Sequence, residues 1–528
     1  GGGIEVNSGG GTLDLTNVDL LNNSTAAAPG NGGGLHITGS DDSTITGGTA
    51  SGNVAASEGG GLWNGSGIMT IDGMLIDSNE AQGPDADNGG GGVFNNGGTL
   101  NIINGTVVSN NLATGTSGSG GGLLSTDGDV TITDTSFDAN AANRAGGAIE
   151  IIDGNLLFDL SEMINNDVNG TAGTPAPGNG GGLHLTGNAS LIEITNSMIL
   201  NNAAAREGGG LWNQSGSLMT VETTTIDGNI SLGTAADDGG AGIFNNGGML
   251  EVMASTLSNN DAQAGGNGGG IHNTTSGEVT VMVSTISNNM ASSGNGGGIF
   301  NNGASFDINA ATIAQNDASG TGGGIEATTS VSLINTIVAL NTASSGTDVS
   351  GTFASNDYNL VGTDDLNVFP EQANDLEEAD PVVGPLQDNG GATFTHELLL
   401  GSPAYNAGNP ADVFVDQRGE SVFDGIRDIG AFEAQDILLS IDGVAEVGSD
   451  IVVYPNPTQG QSIVRIPNTF GENITITIVE LSSGKIVQQL DAYNGTYPID
   501  LFGLANGVYI LNIVSDENVA SRKLIMAR

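Results

Sequence analysis

The chain is 528 residues long and carries 59 acidic against 9 basic residues, a formal charge of −50, with 89 Gly and no Cys. Residues 1–345 hold no Lys and two Arg, Arg144 and Arg206, so nothing there neutralises a phosphate backbone; nucleic acid is excluded as a partner and anionic membrane is disfavoured. Without Cys, disulfides and thiol chemistry drop out, and no apolar run reaches the roughly 18 residues of a spanning helix, so no transmembrane segment is expected.

From Gly1 to about residue 345 an Asn recurs twelve times (Asn23, Asn53, Asn79, Asn111, Asn140, Asn166, Asn202, Asn229, Asn260, Asn289, Asn316, Asn341), with a mean step of about 29 residues. One period, Gly268 to Asn289, reads as a glycine corner, a short strand, a turn at Ser276-Gly277, a strand alternating through Val279, Val281 and Val283, and a last strand through Ile286. These segments are too short and too β-branched for helices. One coil cannot bury its apolar face alone, so Ile271, Val281 and Ile286 must stack on equivalents above and below. Three residues before the Asn lies an apolar column, Leu20 to Val338, with Ala50 its one small member. The predicted fold is all-β: a right-handed parallel β-helix of about twelve recognisable coils plus cap. The pattern is already under way at Gly1, so the native N-terminus is expected upstream.

A five-coil block recurs within the helix. GNGGGLH at Gly30 returns at Gly178, EGGGLWN at Glu58 returns at Glu207, and GVFNNGG at Gly92 returns as GIFNNGG at Gly242. After a linker over 435–447, residues 448–528 alternate as in Ile474-Thr475-Ile476-Thr477-Ile478, which predicts a small antiparallel Ig-like β-sandwich.

Three resemblances attach to these regions. Phe137-Asp138-Ala139-Asn140 followed by Gly146-Gly147-Ala148-Ile149 resembles the paired repeats of polymorphic outer-membrane proteins, which implies an adhesive or matrix role at a bacterial surface. The phrase from Asp380 to Pro410, with Asp416-Gln417-Arg418-Gly419 and Asp428 to Glu433, is similar to the choice-of-anchor Q region that closes many β-helix proteins, which implies terminal coils and a cap over 346–434, with Arg418 and Arg427 paired to carboxylates and His396 structural. Tyr454-Pro455-Asn456-Pro457, Gly484-Lys485, Gly507 with Tyr509, and Lys523 resemble the type A C-terminal sorting domain of the type IX secretion system. That last resemblance implies the type IX machinery of a Bacteroidota-type cell as partner and an extracellular or outer-membrane-surface location. The domain is usually removed after export, and the body anchored or released.

The candidate site follows from strand alternation. If the residue after each glycine step points inward, the next points outward. That outward row reads Glu5, His36, Trp63, Phe94, Leu124, Glu150, His184, Trp212, Phe244, His272, Phe300, Glu326. Its rings and imidazoles form the candidate ligand-binding surface, suited to sugar rings. The stretch between the ladder Asn and the next glycines varies in length and carries acids, Glu58 and Glu207 among them; Asp85, Asp87, Asp237 and Asp238 are candidate ligands for calcium, the one ion considered, with no cofactor required. A ladder that only ties coils together is the competing account of the row.

Lyases of this shape resemble one another in using a Lys or Arg base, and Lys is absent before Lys485; Asp237-Asp238 is an acidic pair without the third Asp of pectin-type hydrolases. The sequence therefore points to a binding protein, adhesin or matrix component, with glycan as the favoured ligand. A carbohydrate-active enzyme and a passive surface spacer stand as the alternatives.

Overall fold

The computed structural model describes residues 1–7, 9–26, 30–168, 178–187, 191–435, 451–467, 470–481, 485–515 and 519–527. It divides into two units, Gly1–Leu438 and Leu439–Arg528. No helix occurs among the described residues.

The first unit is a parallel β-solenoid of about twelve turns. Each coil contributes a strand after the glycines (Ile271–Thr274), a five-residue strand (Glu278–Met282), a three-residue strand (Thr285–Ser287) and a two-residue strand after the Asn (Met290–Ala291). The apolar column runs in unbroken register, with Leu20 on Ala50, Ile76 on Val108, Phe137 on Met163 and Ile313 on Val338. With the inward rows of the two longer strands it forms one continuous core. The two-residue strand is a feature sequence reading missed. Its trace is the small residue two places after most of the Asn: Ala55, Ala81, Ala113, Ala204 and Ala291 are all buried.

Asn recurs because it closes a ladder. Asn53 donates its backbone N–H and side-chain amide to Asn79 Oδ1 at 3.0 and 2.8 Å, and reaches back to Leu20 O at 2.7 Å. The pattern repeats to Asn316 on Asn341, satisfying buried corner groups that no strand reaches. The residue before each ladder Asn is left-handed in all twelve coils. Asn22, Asn110, Asn165, Asn201, Asn259 and Asn288 take it at φ 53–57°, which accounts for the Asn-Asn pairs, while Ser78, Ala139, Gln315 and Leu340 adopt it against preference. Val283, expected inside a strand, instead turns the preceding corner at φ 40°.

The glycine steps have a steric cause. Gly32 is left-handed at φ 62°, a side chain on Gly33 would collide with the carbonyl of Gly60 in the next coil, and Gly34 abuts the amide of Asn53.

Beyond the twelfth coil, Leu360–Val361 and Leu376–Glu377 extend the three-residue column. Val383–Gln387 then pairs antiparallel with Thr395–Leu398. From Thr393 onward the chain turns back along the flank of earlier coils. Thr256 Oγ1 donates to Phe394 O (2.6 Å), Thr285 Oγ1 to Gln417 Oε1 (2.6 Å), and Ala431 N–H to Thr312 Oγ1 (3.0 Å). The predicted cap is thus a cover along one side. His396 is 1 % exposed and bridges Gly384 O and Ser287 Oγ. Arg418 pairs with Asp416 at 2.8 Å as expected. Arg427 differs: it donates to Phe414 O at 2.7 Å and lies over the Phe414 ring, because its pocket offers a carbonyl and a π face.

The second unit has a three-stranded antiparallel sheet (Val452–Tyr454, Gln461–Ile466, Gly495–Asp500) and a four-stranded one (Ile486–Ala492, Ile474–Glu480, Gly507–Val514, Val519–Met526). Val464, Ile466 and Ile499 from the first share one core with Ile476, Ile478, Tyr509 and Leu511 from the second.

Candidate functional site

The outward row exists in register from Glu5 to Glu326, each member paired with the next coil's. It stands outside the central core, with Trp63, Phe94 and Leu124 forming a cluster of their own. Outward does not mean open, however. His36, Trp63, Phe94, His184, Trp212, Phe244, His272 and Phe300 are all buried, at 9 % exposure or less. The rings occupy each other's faces: Trp63 lies parallel to Phe94 with centroids 6.1 Å apart, and Trp212 sits between His184 at 4.3 Å and Phe244 at 6.3 Å. A sugar ring therefore finds no free aromatic face along this row.

The insertion corner covers it. Trp63 Nε1–H donates to Glu58 Oε2 at 3.0 Å, and Glu58 also accepts from Asn31 (3.0 Å) and Asn88 (3.1 Å). The second block repeats the clasp, with Trp212 Nε1–H on Glu207 Oε2 at 3.0 Å and Asn179 on the same oxygen at 2.8 Å. Burial raises the pKa of both Glu58 and Glu207, against the lowering effect of the indole hydrogen bonds. His272 Nδ1 meets Asp238 O at 3.2 Å, and burial pushes its pKa down to about 4, so the ring is neutral.

The second block carries Arg206 where the first has Ser57 and Asp238 where it has Asn88, while Glu150 answers to Glu5. Glu150, fully buried, holds His184 Nδ1 at 2.9 Å, accepts from Thr186 Oγ1 at 2.6 Å and faces Arg144 at 3.7 Å. Arg206 pairs with Asp238 at 2.7 Å and approaches Glu207 at 3.7 Å. Gly178 N–H donates to Arg144 O and Arg206 N–H to Gly178 O, so the helix's two bases stand in one corner column two coils apart. Beside them opens a cleft of about 300 Å³, lined by Arg144, Asn179, His184, Glu207, Trp212 and Gln214, among others. Sequence reasoning placed His184 and Trp212 here but missed the cleft. Its trace was the position of both bases, each two residues ahead of a glycine pair.

Of the calcium candidates, Asp85, Asp87 and Asp237 are exposed and Asp238 is buried. Both Asp238 oxygens are engaged, Oδ1 by Arg206 and Oδ2 by Ala235 N–H at 2.9 Å. Among the described residues no group of three or more His, Asp or Glu is arranged to hold a metal ion.

The sorting-signal residues fall in the second unit, except Gly484, which lies outside the described residues. Tyr454 ends the first strand and Pro455 O accepts from Ser462 Oγ at 2.8 Å. Asn456 brackets the last strand, donating to Lys523 O and accepting from Ile525 N–H at 2.8 Å, while Pro457 precedes Thr458, whose N–H bonds Ile525 O. Gly507 opens the long strand on which Tyr509 is buried, its hydroxyl donating to Ala505 O at 2.9 Å. Lys485 and Lys523 are exposed.

No curated protein and no solved structure matches the chain. Residues 452–527 match the secretion system C-terminal sorting domain. The chain is therefore a substrate of type IX secretion, a secreted or cell-surface protein built on a β-solenoid.

Proposed function

We propose that the solenoid acts by binding at the cell exterior, as an adhesin or matrix protein that contacts glycan. The observation that carries this reading is the cleft at the second block, where a Trp edge, a His, an Arg, a carboxyl and side-chain amides converge on one concavity in an otherwise stacked and covered row. Export by the sorting domain carries that cleft out of the cell, which is compatible with a glycan ligand. Action on carbohydrate is the second reading, favoured by the Glu150–His184 couple adjoining Glu207.

Incubating the full chain with a panel of bacterial and algal polysaccharides, followed by size-exclusion chromatography, separates the two. Polymers that keep their length and carry protein with them support binding. Shortened polymers make the protein an enzyme, and a panel that ignores it removes the glycan reading.

A further inference from the structure

We propose that the cleft beside Arg144 and Trp212 holds one neutral sugar unit of a glycan, with Asn179 Oδ1 accepting from one of its hydroxyls. The proposal rests on the glycan reading above and gives it a site and a charge class.

Asn179 is 3 % exposed and lines the cleft. Its amide nitrogen is committed to Glu207 at 2.8 Å, which fixes the side chain and leaves Oδ1 buried without a partner among the described residues. A buried acceptor without a donor is unfavourable, and the geometry that creates it is built twice: Asn31 donates to Glu58 at 3.0 Å and its Oδ1 likewise has no partner among the described residues. A hydroxyl is the donor that fits an amide oxygen flanked by a carboxyl and an indole edge. His184 presents Nε2 as its remaining ring nitrogen, since Nδ1 is held by Glu150. Gln214 and Asn246 supply further amides, each able to donate and accept, as vicinal hydroxyls require.

The charge class follows from counting partners. Arg144 faces Glu150 and Arg206 pairs with Asp238, so neither guanidinium is spare, and the third carboxyl, Glu207, leaves the site acidic in a chain of charge −50. A uronate or sulfated sugar is repelled there, and a neutral one is not. A volume of about 300 Å³ is at the small end for ligand pockets and suits a single sugar unit. The first block carries Gly65 where the second has Gln214, and Ser57 where it has Arg206, so the clasp is shared but the wall is not.

Affinity electrophoresis of the full chain through laminarin, mannan and xylan, and through alginate and polygalacturonate, tests this. Retardation by at least one neutral polymer is expected, weakened about tenfold or more by Gln214→Ala or Asn246→Ala and unchanged by Gln82→Ala in the first-block loop. Equal retardation of all variants, with unchanged melting temperatures, overturns the site while leaving glycan binding in place. Retardation only by the anionic polymers overturns the charge class. No retardation by any polymer removes both this proposal and the reading beneath it.

Discussion

Asn341 donates its backbone N–H and its side-chain amide to the same oxygen of Asp348, at 2.9 and 2.8 Å, so a ladder of eleven amide-to-amide rungs ends on a carboxylate. Asp348 Oδ2 takes a third donor, Thr363 N–H at 2.7 Å. Burial nevertheless raises its pKa to about 6.

That carboxyl gives stability a pH dependence. Asp428 is likewise raised by burial, to about 7, and Glu433, Glu58 and Glu207 are raised. These carboxyls hold protons in the folded state that the unfolded chain releases, so they make stability fall as pH rises from about 4 to 7; His36, His272 and His396, lowered by burial, act in the opposite sense up to about pH 6.5, and the five carboxyls outnumber them. Self-repulsion at −50 has the same sign, while the carboxyls lowered by hydrogen bonds, Asp77, Asp357 and Asp424, act below that window. Melting followed by circular dichroism should give a higher midpoint at about pH 5 than at about pH 7.5; the reverse order contradicts the assignment.

Removing a rung is costly. Asn202→Ala takes away the acceptor of Asn166 N–H and Nδ2–H, both buried, and the donor to Met163 O. The expected loss is about 3 kcal/mol or more in urea unfolding, and a wild-type midpoint would show that the ladder is dispensable.

Leu340 is the opposite case. It is 42 % exposed and left-handed at φ 62°, a conformation that costs a branched side chain about 1–2 kcal/mol. Leu340→Asn reproduces the Asn-Asn pair found at six other coils and should stabilise by about 1 kcal/mol, visible as a raised melting point.

The tryptophans are structural whatever else they do. Trp212→Ala removes a 6 %-exposed ring from a three-ring stack and leaves Glu207 short of a donor, so a loss of about 3–5 kcal/mol is expected. Trp substitution therefore confounds folding with ligand retention, which is why amide substitutions at the cleft rim are the better probes. A Trp212→Ala protein with unchanged melting would mean that the row is loosely packed.

Calcium is tested through Asp238. Its oxygens are filled by Arg206 and Ala235 N–H, so millimolar EDTA should leave the melting point unchanged. A chelator-induced drop would locate an ion among the exposed acids Asp85, Asp87 and Asp237.

How far the sequence was legible depends on what repeats. The ladder Asn and the column from Leu20 to Val338 could be read because stacking imposes the same demand on every coil, and alternation correctly put Trp63 outside while Leu62 went into the core. Exposure could not be read the same way. Whether Trp63 is open depends on Glu58 folding over it with Asn31 and Asn88 from the neighbouring coils, which is a tertiary fact with no period. The cleft was hidden for that reason too, since Arg144, Asn179 and Gln214 meet only across coils. Arg427 defeated a charge-pairing rule because its guanidinium donates to the Phe414 carbonyl and lies over the Phe414 ring, while Glu433, Asp416, Asp412 and Asp428 act on it only through their charge.

The amide ladder also gives the stack a grain. Each Asn from Asn23 to Asn341 spends two donors on the coil that follows it, the last pair ending on Asp348, and from Asn53 onward each spends one on the coil before. Cutting coils from the amino end exposes mainly oxygens, which water satisfies readily, whereas cutting from the carboxyl end strands N–H groups that tolerate isolation poorly. The solenoid should thus survive shortening from one direction and fray from the other, and the acceptor-only side chain of Asp348 sits at the end where fraying would begin.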